Sequence, residues 1–595
     1  MKYLDLSMND FGGINIPEFM GSFHQLQYLN LSRAGLGGLL PHQLGNLSNL
    51  QYLDLYNDLD PNFVVPVREF SIGDALWISH LSSLKHLNLK SVNFQNGTHW
   101  LEALNMLPSI VEIYLSLCEI GSVPLSLPHV NFTSQSVLDL SYNFINSTIP
   151  SWLFNISGLE HLDLIENFFQ GNIPPAFGNL ASLKGLNLAN NPLQGGIPTS
   201  FKNLCKLRKL DEIFSGCIKM SLESLYLSET NIRGQLPEWL FQLRKLKSLY
   251  LGSNLISGPI PVSIGQLASL QELFLGQNQL NETIPESVGW LSQLVSLDLQ
   301  HNNLEGVMSE AHFGNLTELK DLYLSSNSLA LKVKSNWLPP FQLESLRMDS
   351  CKQGPEFPAW LQSQKNISEI DMSNASIIDA MPDWFWSLIS TAEYLPLSLK
   401  DCKELVLLDA GHNDLKGKIP TQIGESLTSL RFLNLRSNML VRDIPPNLSR
   451  LSALQFLDLA DNKLSGTIPR SFGNFTAMKV IGKFSSRITD YKEQMLVTTK
   501  GRTQDYEKSL SLMNILDLSD NNLFGEVLEE LVSLFGLFSL NLSGNHFTGE
   551  IIENISKLQQ LESLDLSRNN FSGTIPWPRC PDLFGSLEPL GNFSW

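Results

Sequence analysis

Six cysteines carry the most reactive side chains of this 595-residue chain: Cys118, Cys205, Cys217, Cys351, Cys402 and Cys580. A zinc site needs thiolates or imidazoles in short-spaced pairs, and none of the six stands in such a cluster. Cys205 and Cys217 form either a local disulfide, which requires an oxidising compartment, or two unpaired thiols. Carboxylates are abundant, yet they recur at one position rather than as a singular acid–base pair: Asp5, Asp54, Asp139, Asp163, Asp298, Asp458, Asp517 and Asp565 each stand between two leucines. There is no HExxH, no GxSxG, no phosphate-binding Gly-Lys loop and no Gly-rich dinucleotide motif. The expectation is therefore no catalysis, no cofactor and no metal.

What remains is recognition chemistry. At the position usually held by Asp or Asn, four nearby segments carry Tyr226, Tyr250, Phe274 and Tyr323 instead, with His301 beside them. Large amphipathic side chains on neighbouring strands provide contact area at low entropic cost, although cross-strand stacking alone also accounts for them. The rest of the stripe reads as a solvated acidic face.

These residues are positioned by a repeat. Self-alignment yields the unit LxxLxLxxNxLxGxIPxxLGxLxx, clearest in Leu270–Pro285 and Leu454–Pro469. Its asparagine recurs every 24 residues, at Asn143, Asn167 and Asn191, at Asn254, Asn278 and Asn302, and at Asn521, Asn545 and Asn569. About 21 units run from Leu4 to Pro576, several of them degenerate. In xLxLx the leucines point inward and the residues between them outward, the two-residue period of a strand. One unit cannot bury its leucines, so the units stack. The fold class is an α/β solenoid with a concave parallel β-sheet and short 3-10 or helical turns on the convex side. Those turns are suggested by the recurring stretches Gly45–Leu50 and Gly265–Leu270. The asparagine should bond backbone groups of adjacent coils, and Cys118 and Cys351 occupy that same structural position.

The register divides the chain into an array over 1–475 (about 18 units, with a loop-out near 205–219), an island over 476–512, three further repeats over 513–576 and an irregular tail over 577–595. The 38-residue step from Ala375 to Asn413 is either an insertion or a repeat remnant. The polar island alternates charges of both signs with Tyr491, Val497 and Tyr506. An insertion that interrupts stacking costs interface energy, so a role is expected of it.

Composition narrows the partners. A net charge of −18 repels phosphate backbones and excludes nonspecific nucleic-acid binding. Hydrophobic residues make up 43% and charged residues 17% of the chain, enough to bury a long core. The most apolar segment, Leu531–Leu542, is broken by Ser533, Gly536, Ser539 and Asn541, so no segment reads as a membrane span. Met1–Leu6 is already repeat sequence and lacks signal-peptide features. Sixteen Asn-x-Ser/Thr sequons, among them Asn96, Asn131, Asn281, Asn366 and Asn474, fit a glycosylated surface protein. Some, such as Asn30 and Asn541, arise from the repeat itself and lie on the strands.

The GxIP unit, with Leu457–Met478, Val497–Leu510 and Ser539–Pro576, resembles the plant leucine-rich-repeat receptor-like proteins, a family that includes ethylene-inducing-xylanase receptors and Cf-type resistance proteins. The resemblance covers nearly the whole chain and implies a plant-type leucine-rich-repeat superhelix. It also implies a non-enzymatic recognition ectodomain at the plasma membrane. Such an ectodomain takes an extracellular peptide, microbial protein or glycan and signals, in defence or development, through co-receptor and adaptor receptor-like kinases. In such receptors the island and the repeats after it engage ligand or co-receptor; the matching positions here are Lys500, Gly501, Arg502 and Tyr506, with Asn541 and Ser543. The chain departs from the family plan by lacking a signal peptide, both caps, the membrane helix and the tail. It reads as a fragment, a mispredicted product or a truncated, non-functional or decoy paralogue. The alternative function is a secreted inhibitor of a microbial wall-degrading enzyme, a class that is similar in repeat but shorter and without an island.

Overall fold

The computed structural model describes residues 1–57, 69–94, 99–127, 129–131, 134–204, 222–382, 385, 405–421, 423–480, 495–499, 502–506 and 513–574. The chain divides into two compact units, one comprising Met1–Glu305 and Ala311–Glu318, the other Gly306–Glu310 and Leu319–Trp595.

Each unit is built from the same coil. In the first, Ser224–Tyr226, Ser248–Tyr250, Glu272–Phe274 and Ser296–Asp298 are three-residue parallel strands in strict register, with Leu225, Leu249, Leu273 and Leu297 side by side. These leucines are almost wholly excluded from solvent. Burying a leucine contributes about 1.5–3 kcal/mol, which one coil cannot collect without neighbours on both sides. Beyond the ladder asparagine a second short strand follows, such as Leu255–Gly258, paired in parallel with its counterparts in adjacent coils. The second unit repeats the pattern, from Asp321–Tyr323 to Ser563–Asp565 on one face and in a six-stranded sheet from Lys416–Gly417 to Asn570–Phe571.

The helical turns do not coincide with the GNLSxL stretches. They begin earlier, as 3-10 turns at His42–Asn46 and Val262–Gln266, each immediately after the proline of the IP segment. Pro261, with φ −65° and ψ 144°, holds the chain extended up to the turn and has no N–H to leave unpaired there. Gly265 then lets the next coil close in, since a Cβ there would meet the Ser287 carbonyl oxygen at 2.7 Å.

The asparagine ladder ties the coils together. Asn254 donates from Nδ2 to the carbonyls of Leu227, Leu251 and Gly252 at 2.7, 3.1 and 3.1 Å, and its Oδ1 accepts from Thr230 N at 3.1 Å and Ile232 N at 2.9 Å. The buried Cys118 and Cys351 hold the same place, donating S–H to Leu89 O at 3.1 Å and Leu324 O at 3.3 Å. Burial pushes both thiols up, Cys351 to about 12, which leaves them un-ionised and unreactive.

The long breaks in register do not interrupt stacking, contrary to the expectation for the island. Phe456–Asp458 pairs directly with Ile515–Asp517, and Asn521 reaches back to Leu459 O at 2.9 Å. Likewise Gly185 pairs with Ser224, and Asn413 bonds Met372 O at 2.9 Å. The coils on either side of each break pair directly, so their interface energy is kept. Within the island, Met495–Thr499 and Arg502–Tyr506 pair antiparallel, whereas the coil strands named above pair in parallel. Among the described residues no helix is long and apolar enough to cross a membrane.

Candidate ligand-binding face

Strand register decides which outward side chains meet. Tyr226 and Tyr250 face each other at 4.8 Å between ring centroids, and Tyr250 stacks on Phe274 at 4.3 Å with planes 14° apart. Charged pairs flank the row: Lys247 Nζ sits 2.7 Å from Glu223, Lys184 Nζ 2.6 Å from Glu160, and Ser248 donates to Glu272 at 2.6 Å. Burial, and then the charge of Glu272, push the Tyr250 hydroxyl up, so it stays a neutral donor. The row ends at Asp298, which pairs in register with Phe274. His301 is on the turn beyond, with φ 51°. Tyr323 belongs to the second unit, where the Arg347 guanidinium lies 5.3 Å from its ring and bonds Glu369 at 3.2 Å. Burial and Asp321 push this hydroxyl up to about 12.

A second aromatic column occupies the other outward position, one residue before the first leucine. Tyr3, Tyr28, Tyr52 and His86 stack at 4.3, 4.4 and 4.1 Å with planes within 11° of parallel. His86 Nδ1 is 2.6 Å from Glu112. Tabulating this position as well as the Asp position would have revealed the column in the sequence.

The acidic stripe is not a solvated face throughout. In the second unit Asp409, Asp458 and Asp517 are buried, each accepting a hydrogen bond from the N–H two residues on. Arg436 Nη1 bridges Asp458 and Asp517 at 3.2 Å each. Burial, reinforced by Asp349, pushes the Asp371 carboxyl up to about 7, and burial with Asp371 alongside raises Asp409. In the first unit burial raises Asp163 to about 6. The aspartates act first as turn acceptors, which is why the repeat keeps them.

The remaining expected sites distribute unevenly. Asn541 is half-buried, donating to Asp517 at 3.1 Å and accepting from the Ser543 hydroxyl at 2.8 Å, and Ser543 itself is buried. Arg502 and Tyr506 stand at opposite ends of the antiparallel pair, opposite Thr499 and Met495. Lys500, Gly501, Cys205, Cys217 and Asn96 lie outside the described residues. Asn131, Asn281, Asn366 and Asn474 are exposed.

Stacked xLxLx strands, an asparagine ladder and proline-led 3-10 turns define a leucine-rich-repeat solenoid of the GxIP type. A model described as a leucine-rich repeat region matches residues 216–377, a leucine rich repeat model matches 136–193, and single repeats match 25–47, 429–451, 453–475, 536–558 and 560–579. Receptor-like protein EIX1 of Solanum lycopersicum is 40% identical over 509 residues, 75% of this chain and 47% of that protein. Receptor-like protein EIX2 of the same plant is 38% identical over 127 residues, 20% of this chain and 12% of that protein. The chain belongs to the leucine-rich-repeat receptor-like proteins of plants. It spans about half the length of EIX1, its 40%-identical relative. Among solved structures, the plant peptide hormone receptor RGFR1 in complex with RGF2 is 26% identical with a TM-score of 0.65, covering 96% of this chain and 87% of that one. The PEPR1–AtPEP1 structure is 27% identical with a TM-score of 0.68, covering 96% and 79%.

Proposed function

We propose that this chain is the recognition part of a plant cell-surface receptor without chemistry of its own, and that it takes an extracellular peptide or protein segment across the outward strand face at Tyr226, Tyr250 and Phe274. The observation that carries this reading is the stacked aromatic row flanked by charged pairs. It supplies a rigid apolar contact with polar groups of both signs beside it, the composition of an interface centre with its rim. The likeness to RGFR1 with its bound peptide hormone and to PEPR1–AtPEP1 supports a peptide as the ligand class. Signalling runs through partner kinases at the plasma membrane, and the island, with Arg502 and Tyr506, together with Asn541, faces those partners. Membership of the receptor-like proteins supports this, as does an island inserted without cost to stacking.

The test is a binding screen of the purified chain against plant secreted peptides and microbial extracellular proteins, followed by Tyr250→Ala. Loss of the ring that stands between Tyr226 and Phe274 should weaken a genuine ligand by about tenfold or more while leaving thermal stability nearly unchanged. Undiminished affinity in Tyr250→Ala would move the ligand elsewhere.

A further inference from the structure

A second surface of the first unit has the properties of a binding groove, and it lies off the strand face. The residues on either side of the ladder position, in the turn leaving each strand, are exposed or half-buried in the described coils. In the coils of Asn254, Asn278 and Asn302 they are polar apart from the half-buried Leu255: Ser253, Gln277 and His301 before the ladder asparagine, Gln279 and Asn303 after it. In the coils from Cys118 to Asn191 five of the eight are instead Leu117, Tyr142, Phe144, Phe168 and Pro192, with Phe144 58% and Phe168 51% exposed, and the other three are Glu119, Glu166 and Asn190. The repeat does not demand this. Together they line a groove of about 630 Å³, inside the roughly 300–1,000 Å³ range of ligand sites.

The groove's polar lining is acidic or neutral: Glu166, Glu229, Asn190 and Asn231 with the ladder asparagines Asn143, Asn167 and Asn191, and no lysine or arginine among the described residues that line it. Asn190 holds Glu166 by donating to its Oε1 at 2.5 Å. The backbone N–H groups of Tyr142, Phe144, Glu166, Phe168 and Asn190 are already bonded to neighbouring coils, through Ile165, Ile120, Ala189, Ile145 and Ser228. An occupant therefore cannot add as a strand on these donors and must be held by its side chains.

We propose that this groove is a second docking site, separate from the aromatic strand row, for a peptide segment carrying bulky apolar side chains flanked by arginine or lysine. The apolar residues fill the Phe144–Phe168 floor and the cations pair with Glu166 and Glu229. The probes are a short peptide with two leucines flanked by arginines and its counterpart with glutamates in place of the arginines, titrated by fluorescence anisotropy against the full chain. The basic peptide should bind saturably and the acidic one at least about tenfold more weakly, as like-charge juxtaposition dictates. Glu166→Lys with Glu229→Lys should reverse that order, and Phe144→Ser with Phe168→Ser should abolish binding of both peptides. Because all four side chains are exposed, the variants' melting temperatures should match the parent's, which separates lost binding from lost folding. Absence of saturable binding, or equal binding by parent and both double variants, would overturn the proposal.

Discussion

Asn254 and Asn278 occupy the same ladder position in adjacent coils, yet truncating them should not cost the same. Asn254 Oδ1 accepts from two buried N–H groups, those of Thr230 and Ile232. Asn278 Oδ1 accepts only from Ile256 N, at 3.0 Å, because the Asn254 N–H already donates to Gln277 O at 3.2 Å. The donor sides are alike, and the carbonyls they serve keep other partners: Leu251 O retains Asn254, and Leu275 O retains Asn302, when Asn278 is removed. The difference is one orphaned buried donor, about 1–3 kcal/mol. Asn278→Ala should thus lose about 1–3 kcal/mol and Asn254→Ala about 2–6 kcal/mol. Because a long array need not unfold as one unit, the assay is hydrogen exchange followed by mass spectrometry across rising urea, read on peptides covering 227–260. Equal losses, or a larger loss in Asn278→Ala, would refute the idea that unsatisfied donors govern ladder energetics.

Three further outcomes follow from the same structure. Arg436→Ala leaves the buried Asp458 and Asp517 carboxylates without their cation, so urea unfolding at pH 7 should show a loss of about 3–5 kcal/mol, shrinking at pH 5 as Asp458, which burial raises to about 7, takes up a proton. Asp371, raised in the folded state to about 7, binds its proton more tightly there than when unfolded. Its favourable contribution is complete below its ordinary carboxylate value and lost as pH rises from about 4 to about 7. Melting temperature should accordingly fall over that window, and the fall should be shallower in Asp371→Asn. Glycopeptide mass spectrometry of protein made in plant cells should find Asn281, Asn366 and Asn474 occupied, and Asn30 and Asn541 bare. The amides of those last two are held by Asp5 at 3.3 Å and Asp517 at 3.1 Å.

The amino-acid sequence by itself determined the solenoid. A leucine pair with period two inside a unit of period 24 has one economical solution, because each coil's inward leucines find cover only on the next coil. The ladder role of Asn254 and of Cys118 was equally legible, since a position repeated that often serves the backbone. The tertiary structure alone decided what depends on neighbours in space. Register brought Tyr226, Tyr250 and Phe274 into one stack and placed His301 on a turn beyond it. The column of Tyr3, Tyr28, Tyr52 and His86 was legible as a recurring aromatic position, but register alone set its rings 4.1–4.4 Å apart and near parallel. Whether an outward aspartate is solvated or buried turned on what flanks it: Arg436 and Asn434 cover Asp458 and Asp409 in the second unit, and no local pattern encodes that. Nor could spacing show that the chain between Asn462 and Asn521 leaves the stack intact, because continuity of hydrogen bonds between coils is a relation between segments far apart in sequence.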